Sequence, residues 1–211
     1  MVTITISRQF GSGGSLVGKR LARRLGFKYV DREILRLTSK RLGMDERELL
    51  FKEEKTRGFW DNFFQSFSFG GPDAGSYTPP SVDLISDREF FETESQIIRK
   101  IATRYNAIIM GRAGYHVLKD QPGLVSVFLY APADFRAKRV MDIYGIKDYK
   151  EALLTVEKKD KQREKFIRVI TGRNWTDACN FHLCIDTAAV GFSQSEEIIA
   201  RLVGEMSQRE V

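Results

Sequence analysis

Apolar residues recur along this chain with two alternating periods. Short runs rich in β-branched and other apolar residues at 2–6, 27–30, 107–110, 124–130 and 181–186 have the length and composition of strands. Between them the spacing is helical. Val17, Leu21 and Leu25 repeat every four residues, and Ile97, Ile98 and Ile101 mark the buried side of a helix over 86–104. Asp31 caps a predicted helix over 31–42 that ends at Gly43, and Asp45 caps another over 46–55. Pro132 stands in the first turn of a helix that opens at 131–134. A strongly charged helix covers 148–170 and a closing one 193–207. Strands alternating with helices predict an α/β fold, a parallel sheet with helices on both faces.

Two stretches stand apart. Residues 59–69 carry six aromatics, with Trp60, Phe63, Phe64 and Phe67 on one helical face, which favours core or subunit packing and raises a homodimer as a possible partner state. Residues 70–81 hold three of the five prolines and read as a surface loop. The sheet pattern resumes beyond it, so the 211 residues are read as one domain.

Composition narrows the classes. Hydrophobic residues make up 42% and charged residues 29%, ordinary for a globular protein, and no apolar run has the length of a membrane span. The N-terminus has no signal-peptide pattern, and Cys179 and Cys184 make no disulfide framework or zinc spacing. A reducing, cytoplasmic setting is the expectation. His116 and His182 read as structural residues. The net charge of +6 points to an anionic partner. No DNA- or RNA-binding motif accompanies it, so a nucleotide is favoured over nucleic acid.

The candidate chemistry begins at the first strand. Val2 to Ile6 passes into Ser7-Arg8-Gln9-Phe10-Gly11-Ser12-Gly13-Gly14-Ser15 and then into the helix marked by Val17. A glycine loop between a strand and a helix N-terminus turns backbone N–H groups towards a phosphate. Two registers of the Walker pattern G-x-x-x-x-G-K-[ST] compete. One uses Gly13 and Gly18-Lys19, keeping a lysine but putting Arg20 in the hydroxyl position. The other uses Gly13-Gly14-Ser15, with glycine in the lysine's place and Arg8 where the first glycine belongs. The apolar stripe begins just after Ser15 and favours the second. Arg8 is then the candidate substitute for the lysine, and Lys19 the other.

In parallel sheets, ligands bind beyond the carboxyl ends of the strands. The polar residues there are Ser7-Arg8, Asp31, Gly111-Arg112 and Asp186-Thr187. Together with Val127 to Ala131 followed by Arg136 and Arg139, and Glu157 to Arg163, these pieces run in an order that resembles the cytidylate kinase-like family of P-loop nucleoside monophosphate kinases. The resemblance implies a three-layer P-loop fold with a five-stranded parallel sheet, an acceptor-side insertion at about 44–95 and a lid at about 142–173. It implies an ATP- and magnesium-dependent phosphotransferase acting on a nucleoside monophosphate or related small acceptor. A nucleotide-binding regulatory protein that has lost transfer is the alternative.

The roles it implies fall on residues of this chain. Gly11, Ser12, Gly13, Gly14, Ser15 and Thr187 would bind the donor, with Ser15 on the metal side. Arg8, Arg112, Lys158, Lys161 and Arg163 would serve the transfer, and Asp31, Arg36, Arg112 and Arg136 the acceptor. Gln162, standing where these kinases have an aspartate, and the unlike insertion leave cytidine specificity open.

Overall fold

The computed structural model describes residues 1–31 and 87–209. The predicted helices at 31–42, 46–55 and 59–69 and the loop at 70–81 lie outside these residues. Five strands form one sheet: β1 (Thr3–Arg8), β2 (Lys28–Val30), β3 (Ala107–Met110), β4 (Leu124–Tyr130) and β5 (Leu183–Asp186). All pair in parallel, in the order β2-β3-β1-β4-β5. β1 is the central strand, with Ile6 opposite Met110 on one side and Val127 on the other.

The sequence of β1 explains the layering. Ile4 and Ile6 point to one face, against Val17 and Leu21 of α1 (Gly14–Leu25), and Ile199 and Val203 of the closing helix, Phe192–Arg209, join the same cluster. The alternate residues Thr3, Thr5 and Ser7 are buried as well. On the other face of the sheet, Ile97, Ile98 and Ile101 of α2 (Asp87–Arg104) meet Val30, Ala107 and Ile109. There α3 (Gly114–Val117) approaches so closely that a Cβ on Gly114 would stand 3.2 Å from the Thr5 methyl. Both faces of the sheet are covered, as a parallel sheet requires.

Beyond β4, α4 (Ala133–Tyr144) and α5 (Tyr149–Thr171) form an antiparallel pair sealed by Ala137, Val140, Ala152 and Val156. Asp148 caps α5 by accepting the N–H of Lys150 at 2.8 Å, and Gly172 ends it in the left-handed region. A 3-10 turn at Ala178–Asn180 precedes β5, which starts two residues later than the apolar pattern indicates. The short α6 (Thr187–Val190) and long α7 (Phe192–Arg209) complete the chain. From β1 the chain moves to one side of the sheet for β2 and β3, then crosses to the other for β4 and β5. The crevice beyond the carboxyl end of β1 is where such a reversal leaves room for a ligand.

Candidate active site

The loop after β1 is fixed from several sides. Ser12 is fully buried, and its hydroxyl donates to Gln9 O at 2.9 Å or Leu129 O at 3.1 Å. Gln9 Oε1 accepts the N–H of Ala131 at 3.2 Å, tying the loop to the end of β4. Thr187, at the end of β5, is also buried. Its hydroxyl lies 2.8 Å from Ser12 O and 3.1 Å from Tyr130 O, so the side chain is engaged with the loop backbone from behind.

Arg8 crosses this loop. A Cβ on Gly14 would stand 2.7 Å from Arg8 Cβ and 2.8 Å from Arg8 Cγ, so the stem of Arg8 fills the space into which a side chain at position 14 would begin. Glycine stands at that position because any other residue would collide with Arg8. The guanidinium continues to Gly111, at φ +70, where a Cβ would strike Arg8 Nη1. Its Nη2 lies 3.6 Å from Asp31 Oδ1. Burial lowers the pKa of Arg8, Asp31 opposes that shift, and the neighbouring Arg112 adds to it. Lys19, the other candidate cation, sits 6.0 Å from the Tyr29 ring on the exposed side of α1.

Arg112 and Ala113 occupy the left-handed region at φ 55 and φ 50, and Gly114 N–H closes the turn on Gly111 O at 2.9 Å. Non-glycine residues there cost free energy, so the turn is a strained one at the end of a strand. Glu94 of α2 anchors it. Its carboxylate, 1% exposed, accepts from Arg112 Nη1 at 3.3 Å, and burial pushes its pKa up against the pull of Arg112.

Helix α5 reaches the loop through Asp160 and Arg163. Asp160 Oδ1 accepts the Phe10 N–H at 2.7 Å, and Oδ2 lies 2.5 Å from Arg136 Nη1. Arg163 Nη1 donates to Arg8 O at 3.1 Å, stands 3.6 Å from Asp160 and stacks over the Phe10 ring. Its pKa falls to about 10, first through burial and then through repulsion from Arg8. Asp160 itself is raised by burial, partly offset by the Phe10 N–H, Arg136 and Arg163.

The sequence-predicted residues therefore divide. Arg8, Asp31, Arg112 and Arg163 converge on the loop, with Gly11 to Ser15 beneath them. Arg136 is buried and holds Ala131 O at 2.7 Å, Phe10 O at 3.1 Å and Asp160, bracing the loop rather than facing the crevice. Lys158 and Lys161 are exposed on α5, and Arg36 lies outside the described residues. Three participants are additional to those candidates. Asp160 and Glu94 hold the arginines, and the Tyr29 hydroxyl lies 3.3 Å from Asp31 Oδ2 and within hydrogen-bonding reach of Ser15. Asp160 is legible as a lone acid among 158-KKDKQR-163, but its partner at Phe10 is not.

A five-stranded parallel sheet flanked by helices, with a glycine loop after its central strand and a helix starting from that loop, defines a P-loop kinase fold. The chain belongs to the cytidylate kinase-like family, whose model matches residues 3–189. It is 27% identical over 210 residues to a cytidylate kinase of Methanopyrus kandleri, covering 99% of this chain and 96% of that one. A solved but uncharacterized protein from Eubacterium ventriosum superposes with a TM-score of 0.69 at 23% identity, covering 97% of this chain and 99% of that one. A gluconokinase from Sinorhizobium meliloti gives a TM-score of 0.56 at 16% identity, covering 100% of this chain and 98% of that one. The two structural likenesses are likenesses of fold.

Proposed function

We propose that the chain is an ATP-dependent phosphotransferase that moves the γ-phosphoryl group of ATP to a nucleoside monophosphate or related small acceptor. The observation that carries this reading is the convergence of three guanidinium groups, Arg8, Arg112 and Arg163, over one glycine loop. Arg8 is destabilised as a cation by Arg112, and Arg163 by Arg8. Like charges gathered and partly desolvated in this way are relieved by an anion, and phosphoryl transfer depends on such positioning and charge neutralisation.

The roles follow from position. Backbone N–H groups of 11–15 and the N-terminus of α1 receive the donor phosphates. Arg8 supplies the positive charge that a lysine at position 14 would bring, reaching the same space from the strand end. Its guanidinium lies between Gly111 and Asp31. Arg112 forks onto the acceptor's anionic group, for which guanidinium geometry is suited, and Asp31 orients the acceptor. Arg163 closes from the lid.

Magnesium fits the donor set only in company with the nucleotide. Ser15 offers an exposed hydroxyl in the first turn of α1. Among the described residues no group of three His, Cys, Asp or Glu side chains could hold a metal unaided. Ser15 would help to hold the ion beside the nucleotide, and the ion would supply charge neutralisation for the transferred group.

The alternative, a regulatory nucleotide-binding protein, rests on Gly14, which deprives the loop of its lysine. A radiolabelled transfer screen across nucleoside monophosphates and small alcohols separates the two. Label in an acceptor supports the kinase, and tight ATP binding with no labelled acceptor overturns it.

A further inference from the structure

At the end of the sheet away from the glycine loop, a cavity of about 170 Å³ opens beside the first residues of β4. His116 of α3, Lys119 just beyond it, Ser126 of β4, Arg173 after α5 and His182 before β5 all line it. The His182 ring is built into the strand pairing. Its Nδ1 accepts the Ser126 N–H at 3.1 Å, while the His182 N–H donates to Ser126 O at 2.9 Å. An accepting Nδ1 carries no proton, so the neutral ring holds its proton on Nε2 and offers a donor there.

The other lining groups add donors and positive charge. Arg173 spends one N–H on Asn180 Oδ1 at 2.9 Å and keeps the rest of its fork. Among the described residues Lys119 pairs with the carboxylate of Asp120, 3.9 Å away and 87% exposed, so water screens that pair. The Nδ1 of His116 is buried and has no hydrogen-bond partner among the described residues. Burial holds this ring below the ordinary imidazole pKa, and Arg173, Lys119 and Arg99 push the same way against Asp120. Donors and cations therefore outnumber acceptors around one small space.

We propose that this cavity binds a small oxyanion: phosphate, free or as the terminal monoester of a larger molecule, held by Lys119, Arg173 and the His182 ring N–H. The volume sets the class. It is well below the roughly 300–1,000 Å³ of a pocket that engulfs a drug-sized ligand, but ample for a tetrahedral anion with a water or two. Charge-assisted hydrogen bonds from an arginine fork and an ammonium group suit such an anion. The site is separate from the glycine loop and does not depend on the kinase reading.

Imidazole NMR spectra of the intact chain, titrated with inorganic phosphate at constant ionic strength, test this. The expected result is a saturable shift of the His116 and His182 resonances. The His116 pKa should rise in the complex, because a bound anion favours the imidazolium form. Lys119 is exposed, so Lys119→Gln should fold normally and weaken the affinity read from these shifts by about tenfold. Arg173→Gln should do the same. Glycerol phosphate forms the second arm: saturation at equal or tighter affinity assigns the site to a terminal monoester, and a response to phosphate alone assigns it to the free anion. Histidine resonances that stay still overturn the proposal. So do shifts of undiminished affinity in both variants, which would report phosphate bound at the glycine loop and sensed from afar.

Discussion

Arg8 and Gly14 share one volume, and that coupling is measurable. In the native chain, Gly14→Ala places a Cβ 2.7 Å from Arg8 Cβ, and overpacking of this kind costs about 1–3 kcal/mol. With Arg8→Ala in place the obstruction beyond Cβ is gone, and alanine in the first turn of α1 has a better helix propensity than glycine by up to ~1 kcal/mol. The effect of Gly14→Ala should therefore shrink in the Arg8→Ala background without vanishing, because the contact with Arg8 Cβ persists. A double-mutant cycle by urea denaturation reads this directly, and strictly additive effects would refute the shared volume. The same reasoning explains why installing a lysine at position 14 should not improve the loop while Arg8 remains.

Glu94 gives a pH dependence with a definite sign. Its carboxyl is buried and its pKa is raised above the ordinary value of 4.5. The folded state then binds the proton more tightly than the unfolded state. This contribution to stability is complete below about 4.5 and is lost as the pH rises through the higher folded value. Glu94→Gln removes the titration while leaving an acceptor for Arg112. Its denaturation midpoint should vary less with pH than that of the native chain from 4.5 upwards. Parallel profiles for the two proteins would show that Glu94 is not the group responsible.

At the scale of elements, α5 holds the glycine loop through two side chains, Arg163 on Arg8 O and Asp160 on the Phe10 N–H. Asp160 receives the Phe10 N–H, Arg136 and Arg163. Asp160→Ala leaves the Phe10 N–H without its acceptor and removes the counter-charge of Arg136 and Arg163, which keep only backbone carbonyls, a loss of about 2–4 kcal/mol for a largely buried cluster. Asp160→Asn keeps an acceptor for Phe10 and should lose less. Hydrogen exchange at the Phe10 amide should quicken in the alanine variant and much less in the asparagine variant.

Such junctions mark the limit of what the sequence discloses. β3 and β4 were legible to the residue because both faces are covered, which leaves their residues apolar but for Ser126 of β4. The ends of α2, α5 and α7 follow from caps and periodicity within a residue or two. That Arg8 and Arg112 stand at the carboxyl ends of strands was legible, Arg8 as the last residue of β1 and Arg112 two residues past β3. Asp160 and Glu94 were not assigned roles, because an acid in a charged helix looks solvated until another element buries it. Arg136 was misleading for the same reason: its position after β4 says nothing of the two carbonyls and the carboxylate that surround it. Gly14 could be read as a missing lysine, but its cause, the stem of Arg8, lies six residues earlier and becomes visible only when the loop folds back.

For the whole molecule, the two sides of the crevice make separable demands. In the proposed function the donor side is built from backbone N–H groups, Ser15 and Arg8, and the acceptor side from Arg112 on its strained turn, with Asp31 beside it. A ligand that binds only the folded chain stabilises it by mass action, by about 2.7 kcal/mol at a hundred times its dissociation constant. Magnesium ATP should therefore raise the unfolding temperature of the native chain. Arg8→Ala should diminish that rise, because it removes positive charge from above the loop. Arg112→Ala should preserve it while lowering transfer to the acceptor by about a hundredfold or more, the scale of losing one positioned charge at a reacting phosphoryl group. The decisive pattern is a split. If Arg112→Ala abolishes the ATP-dependent stabilisation as fully as Arg8→Ala does, the two arginines serve one phosphate. The division of the crevice into donor and acceptor sides then fails, even if the chain is a kinase.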